Sequence, residues 1–426
     1  EFCSAKKIKS FSHFVSRDAM NVDGLSEATL QKMIDVGILN EIYDLFTLKE
    51  HKEEILELVN SCEKECSKEF SMLDEDAFDN ASKVLDAFHE EKVSEVDFTS
   101  TTGYGYNDVG REKIERIFAK VLGFPDCLVR NQFVSASHAL STTFFALLRP
   151  GDILLSISGE PYDTLHEVIG IKDNPSSLKS YGISYKQVDL INNDFDYDKI
   201  KEVITTSKIK VIEIQRSKGY STRSSLSISK IQKVISFIRE IDPSIIIMID
   251  NCYCEFVGRD SISVCDVDIA VGSLIKNLGG GIAPNGAYVA GRSDLVELVA
   301  ERLTLPGEGR EVGPTLGINK SILQGLFFAP SVVNASLKIA VLTACVLEKL
   351  GYEVEPRYND ERVDIVQNII FNDKAKLIKY VQGIQAGSFI DAHSIPMAWD
   401  MPGYDDQVIM ASGSFTQGSS IEISCD

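Results

Sequence analysis

The sequence is short of positive charge. Its 426 residues carry 43 lysines and arginines against 63 aspartates and glutamates, a formal net charge of −20. A broad surface for nucleic acid or anionic lipid needs a basic excess, so the balance argues against both, while leaving room for a small basic pocket around one phosphate. Long apolar runs are missing too: none approaches the roughly 18 residues of a membrane span, and residues 1–30 hold no apolar signal-peptide core. The nine cysteines lack metal-site spacing. Cys62 and Cys66 stand four apart in a charged helical stretch, Cys252 and Cys254 flank Tyr253, and neither pair has a second pair at zinc spacing. Reduced thiols, no metal and a cytoplasmic location are the expectation. Internal repeats and low-complexity tracts are absent as well.

What is present reads as a globular chain of two or three domains, with 44% hydrophobic and 25% charged residues. Residues 1–52 form a helical appendage in which Val22–Ser26 is a tight turn and Ser26 can cap a helix carrying Leu30, Met33 and Val36. Residues 53–97 repeat apolar positions (Ile55, Leu58, Val59, Cys62, then Ala81, Val84, Leu85, Phe88) at helical spacing, an N-terminal helical arm. From residue 98 to 330 the pattern alternates. Short apolar runs at 153–158, 211–215, 245–250 and 269–273 are separated by amphipathic helices, such as the one carrying Ile228, Ile231, Val234, Ile235, Ile238 and Ile241. Strands apolar on both faces and joined by helices predict an α/β fold with a mostly parallel sheet flanked by helices. After Pro330, residues 331–426 read as a smaller α+β domain, with a helix over 335–350 and strands at 365–371 and 421–424.

In a parallel sheet, ligands gather at the carboxyl ends of the strands. Two chemistry-bearing residues fall there: Asp250 ends the run IIIMI, and Lys276 follows DIAVGSLI and precedes Gly279-Gly280-Gly281, where backbone could approach a ligand closely. The 26 residues between them fit one strand-to-strand crossover. An acid and a lysine so placed suit pyridoxal 5'-phosphate: the lysine condenses with the aldehyde and the carboxylate keeps the ring nitrogen protonated. Ser273 lies three residues before the lysine, within reach of a phosphate. Ser135, Ala136 and Ser137 open a helical pattern whose free amides and dipole would face an anion. Tyr162, just past the strand at 153–158, could stack on a ring. Tyr106 and Arg111 flank a glycine-loosened loop and could donate to a phosphate. Arg216 and Arg310 are candidates for holding a substrate carboxylate.

These residues, in this order, resemble the fold-type I pyridoxal-phosphate enzymes around the cystathionine and methionine lyases. The stretches TGYGYNDVGR, FVSASHAL, GEPYDTLHEVIG, IDNCYCEFV, GSLIKNLGGGIAPNGAYVAGR, LPGEGREVGPTLG and WDMPGYDDQVIM are similar to the methionine gamma-lyase-like proteins called aluminium-resistance proteins, over about residues 55–426. The resemblance implies Lys276 as the Schiff-base lysine, Asp250 on the ring nitrogen, Tyr162 on the ring face, and Ser135–Ser137 with Ser273 on the phosphate. It also implies a homodimer or homotetramer in which Tyr106 and Arg111 of one chain reach the phosphate of the next. Ala136 stands where the family's cradle has glycine, Ser137 where it has threonine, and Cys254 where it tends to have glycine. The family continues past SSIEISCD with a Gly-Pro-x-Arg tail, so the C-terminal domain is expected to be truncated.

Residues 1–52 resemble a different family. In HFVSRDAMNVDGLSEATLQKM the segment is similar to NAD-dependent DNA ligases where their zinc finger ends and their helix-hairpin-helix domain begins. That resemblance makes Cys3 a last zinc cysteine and Val22–Ser26 a DNA-backbone hairpin, but its three partner cysteines are absent. The segment carries seven basic and eight acidic residues, poor company for phosphates.

The expected function is carbon–sulfur lyase chemistry on a sulfur-containing amino acid. Three rivals stand beside it: another pyridoxal-phosphate reaction such as transamination or racemisation on the same scaffold, a DNA-binding module led by residues 1–52, and a cofactor-free scaffold.

Overall fold

The computed structural model describes residues 44–401, 406–419 and 423–425, with isolated positions (8, 9, 30, 31, 34) before residue 44. Cys3 and the Val22–Ser26 turn lie outside the described residues. The chain divides into two compact units, Glu1–Ser67 and Lys68–Asp426. The described part of the first is dominated by helix α1 (Asp44–Glu65), which carries the Ile55, Leu58, Val59 and Cys62 spacing.

The second unit begins at the second residue of α2 (Ser67–Glu90), whose Asn80 amide donates to the carbonyls of Phe256 and Gly258. The loop 99–108 follows, and Asp108 caps α3 (Val109–Leu122) by accepting from Arg111 N–H. The core is a seven-stranded sheet. Its strands in chain order are β1 (Asp126–Arg130), β2 (Ile153–Ser156), β3 (Ser184–Gln187), β4 (Val211–Gln215), β5 (Ile246–Asp250), β6 (Ile269–Ser273) and β7 (Ala287–Gly291). In space they run β1-β7-β6-β5-β4-β2-β3. All run parallel except β7, which is antiparallel to both neighbours. The expected α/β architecture is therefore observed, with β4 and β6 at the residues the apolar runs marked. The strands not foreseen are β1, β3 and β7. In β3, SYKQ is half exposed at the sheet edge and carries no apolar run, and β1 is a mixed-polarity edge strand.

Burial on both faces explains the apolar strands. One face packs Ile212, Ile214, Ile247 and Ile249 against α3, α6 (Tyr197–Thr206) and α7 (Ile228–Ile241). The other packs Met248, Val271 and Val289 against α4 (Ala136–Leu147), the short α5 (His166–Ile169) and α8 (Ser293–Leu303). Because β1 runs parallel to β5 and β6, the turn after it delivers the N-terminus of α4 to the edge where β5 and β6 end.

The helix expected over 335–350 is longer: α9 spans Asn319–Lys349 and runs through Pro330. Proline in a helix interior costs about 3 kcal/mol, but Ile322, Leu326, Val333, Leu337, Ala344 and Leu347 along one stripe enter three hydrophobic clusters, and that burial outweighs it. By length and composition α9 could cross a membrane; its packing makes it a core helix here. Beyond it lie two small antiparallel pairs, β8 (Glu353–Glu355) with β9 (Asn368–Ile370) and β10 (Ile409–Ala411) with β11 (Ile423–Cys425), and helix α10 (Lys374–Gly387).

The glycine triplet does something other than admit a ligand. A Cβ on Gly279 would sit 1.7 Å from Leu274 O, and one on Gly280 would sit 2.3 Å from Gly325 O. The turn after Lys276 is thus pressed onto α9 at Gly325, whose own Cβ would meet Gly279 O at 2.4 Å. In an exposed helix Gly→Ala stabilises by roughly 0.5–1 kcal/mol. Here Gly325→Ala is expected to destabilise by about 1–3 kcal/mol through overpacking, read from urea unfolding; a stabilised variant would contradict the close approach.

Candidate functional site

The carboxyl ends of β4, β5 and β6 lie side by side. Asp250, the last residue of β5, pairs in register with Gln215 on β4 and Val271 on β6. Side chains alternate across a strand. Met248, Val271 and the cluster around α4 share one face, so Glu213, Gln215, Asp250 and Ser273 share it too. The N-terminus of α4 opens onto the same edge. Ser135 is its N-cap and accepts from His138 N–H at 3.1 Å. That uses one of the helix's free amides and leaves those of Ala136 and Ser137 pointing outward along the axis. Ser137 Oγ meets Thr164 Oγ1 at 2.7 Å, which ties the helix start to the loop that carries Tyr162. Tyr162 lies nearly parallel to Tyr220, ring centroids 6.2 Å apart and planes 18° apart. Lys276 follows β6 on the turn fixed against α9, with its amine 5.1 Å from the centre of the Tyr253 ring. Lys276, Asp250, Ser273, Tyr162 and Ser135–Ser137 are therefore all carried to one end of the sheet.

Both candidate substrate arginines fall elsewhere. Arg216 follows Gln215, so alternation turns it to the other face; its Nη1 donates to Asn251 Oδ1 at 3.0 Å and it is 3% exposed. Arg310 holds Asp126 with two hydrogen bonds (3.1 and 2.8 Å) and also pairs with Glu297. Asp126 begins β1, so Arg310 sits at the opposite end of the strand from the site. Arg111 is buried and directs its guanidinium to the carbonyls of Gly105, Gly313 and Glu311. It shapes the loop 103–107 rather than offering its charge. Tyr106 is half exposed on that loop, 5.9 Å from Tyr104.

Asp250 is 7% exposed, and burial raises its carboxyl above the ordinary range. Its Oδ1 accepts from Cys252 N–H at 3.0 Å. Beside it, Gln215 Oε1 and Glu213 Oε1 are buried acceptors with no hydrogen-bond partner. Glu213 was not singled out from the sequence, although an acid inside the apolar strand VIEIQ was the available signal. Its Oε2 lies 2.9 Å from Ser156 Oγ, which also lies 2.7 Å from Gly159 O. Burial first, and then the nearby Asp250, push its carboxyl from 4.5 up to about 8. Because the folded value is raised, this group favours the fold below its unfolded value and loses that contribution as pH rises to about 8. Glu213→Gln should therefore gain thermal stability relative to wild type as pH goes from 5 to 8.5. A pH-independent difference in melting temperature would contradict a neutral Glu213.

With this geometry in hand, the comparisons with known proteins are specific. The family model for methionine gamma-lyase matches residues 55–426. The chain is 47% identical over 352 residues to the protein YnbB of Bacillus subtilis, covering 82% of this chain and 83% of that one. A solved carbon-sulfur lyase involved in aluminum resistance from Clostridium novyi is 42% identical with a TM-score of 0.84, covering 94% of this chain and 92% of that one. A Listeria monocytogenes structure described as involved in aluminum resistance is 44% identical with the same TM-score, covering 87% and 91%. A segment of 66 residues, 16% of this chain, is 58% identical to a DNA ligase of Ruminiclostridium cellulolyticum and spans 10% of that enzyme.

Proposed function

The chain belongs to the methionine gamma-lyase family, and on that footing we propose that it is a pyridoxal 5'-phosphate-dependent carbon–sulfur lyase acting on a sulfur-containing amino acid. The observation that supports this reading best is the company of Asp250. A buried carboxylate needs a cation or donors; this one has an N–H from its own chain and, beside it, the unpartnered buried acceptor Gln215 Oε1. A protonated pyridine nitrogen supplies what that cluster calls for, so the residues fit the cofactor. Asp250 would hold the proton on that nitrogen, Tyr162 would cover the ring face, and the Ala136 and Ser137 amides with Ser273 would take the phosphate.

When bound, the cofactor supplies an aldehyde and an electron-withdrawing ring that make an amino acid's α-proton acidic. Lys276 is the amine placed to take that proton from the substrate Cα and return it. The Tyr253 ring beside it favours the ammonium through its π face. The carbon–sulfur bond breaks, the sulfur leaves as a thiol, and uptake of one water releases a 2-keto acid and ammonia. The exposed Tyr104, Tyr106, Val134 and Leu316 side chains suit a surface for a second copy of the chain, so a homodimer or dimer of dimers is part of the reading. The acidic balance favours an amino-acid substrate over nucleic acid as partner.

Lys276→Ala should lower keto acid and ammonia release from cystathionine or methionine at least about 10³-fold, as expected for loss of a group that both binds the cofactor and transfers the proton. Retained turnover in that variant would refute the assignment. If the variant instead transfers amino groups at the wild-type rate, the proton-transfer role alone falls.

A further inference from the structure

Behind the site, on the opposite face of the sheet, runs a line of buried polar residues that passes from side chain to backbone at Glu255. Arg216 Nη1 donates to Asn251 Oδ1 at 3.0 Å. Asn251 Nδ2 donates to Tyr288 Oη at 3.2 Å. Tyr288 Oη donates to Glu255 Oε1 at 2.8 Å. The backbone carbonyl of Glu255 accepts from Asn277 Nδ2 at 2.8 Å. All five residues are at most 5% exposed, and Tyr288 and Asn277 are fully buried.

The two ends matter most. Asn251 follows Asp250, and Asn277 follows Lys276. Arg216 closes onto the first end a second time, since its N–H donates to Asp250 O at 3.1 Å. The fold also makes room for the line. On β6, between the two reactive positions, a Cβ on Gly272 would lie 2.3 Å from Glu255 Oε1 and 2.4 Å from Tyr288 Oη. Any other residue there would break the line in its middle.

We propose that Arg216, Asn251, Tyr288, Glu255 and Asn277 are positioning residues: a hydrogen-bonded brace on the far face that sets the separation of Asp250 and Lys276 on the near one. The inference rests on the cofactor reading above. It gives Arg216, a candidate for the substrate carboxylate on sequence grounds, a positioning role instead. Lys276 has an uncommon backbone conformation (φ −100°, ψ −138°), and the Asn277 amide, bonded to a carbonyl in the loop after β5, is what pins the turn carrying it. The carboxyl of Glu255 is held up to about 8 by burial, so over the neutral range it serves as a neutral group accepting from Tyr288.

The test compares purified wild type with Tyr288→Phe and Asn277→Ala. The first removes one oxygen and keeps the ring that fills the pocket; the second cuts the end beside Lys276. Three quantities are read: melting temperature without cofactor, the dissociation constant for pyridoxal 5'-phosphate from quenching of intrinsic fluorescence, and the pH midpoint of the bound cofactor's visible absorbance. The titratable groups around the pair are Glu213 from β4, and Cys252, Tyr253 and Glu255 from the loop after β5. The brace predicts cofactor binding about tenfold weaker in both variants, in line with one broken buried hydrogen bond, and a displaced midpoint. Lower melting temperatures with wild-type affinity and midpoint would overturn it and leave the line a stability element only. Failure of wild type itself to bind pyridoxal 5'-phosphate would overturn the cofactor reading, and the brace with it.

Discussion

A carboxylate removed from water must find a cation or a set of donors, and Asp250 is buried at the end of a strand with its carboxylate accepting from Cys252 N–H. Much of the architecture around the site follows from that placement. Strand β5 is apolar along its length because helices cover both faces, so the acid that ends it is buried by construction. The strands on either side bring Gln215 and Val271 level with it, and β6 then leads in three residues to Lys276. An acid and an amine are brought to one edge by neighbouring parallel strands, while the start of α4 and the Tyr162 loop arrive at that edge because β1 and β2 run the same way.

The two faces of the sheet divide the work. The near face holds groups suited to a ligand: the outward amides of α4, the unpartnered buried oxygens of Gln215 and Glu213, and the amine of Lys276. The far face holds groups that satisfy one another, from Arg216 to Asn277. Between them, the close approach of Gly279 and Gly280 to Gly325 fixes the turn after Lys276 against α9. A lysine on a loose loop would lose orientation each time the loop moved; this one is held by a glycine contact and by an asparagine amide.

The sheet and the grouping of the candidate residues at one end of it were legible in the sequence because both rest on local signals. Apolar runs of strand length marked β4, β5 and β6, and a polar residue ending such a run marked Asp250 and Lys276. What was not legible depends on side-chain direction and on distant partners. Arg216 is one residue past Gln215, and one residue is the whole difference between the two faces. Arg310 looked available in its glycine-rich loop because nothing near it in sequence shows that Asp126, 184 residues earlier, holds it. Arg111 looked like a phosphate ligand for the same reason; its acceptors Gly313 and Glu311 lie about 200 residues away. The triplet Gly279–Gly281 suggested room for a ligand, whereas Gly279 makes room for the carbonyl of Leu274 in its own turn and Gly280 for the helix. Strand β3 escaped notice because an edge strand with polar residues has no run to see.

The central claim is that Lys276, and no other amine, carries the cofactor. The direct measurement is to load the purified chain with pyridoxal 5'-phosphate, reduce it with borohydride, digest it and locate the fixed pyridoxyl group by mass spectrometry. The account predicts a single modified peptide containing Lys276, and loss of that modification in Asp250→Ala through weakened binding. A pyridoxyl group fixed chiefly on Lys218 or another lysine, with the Lys276 peptide unmodified, would contradict it.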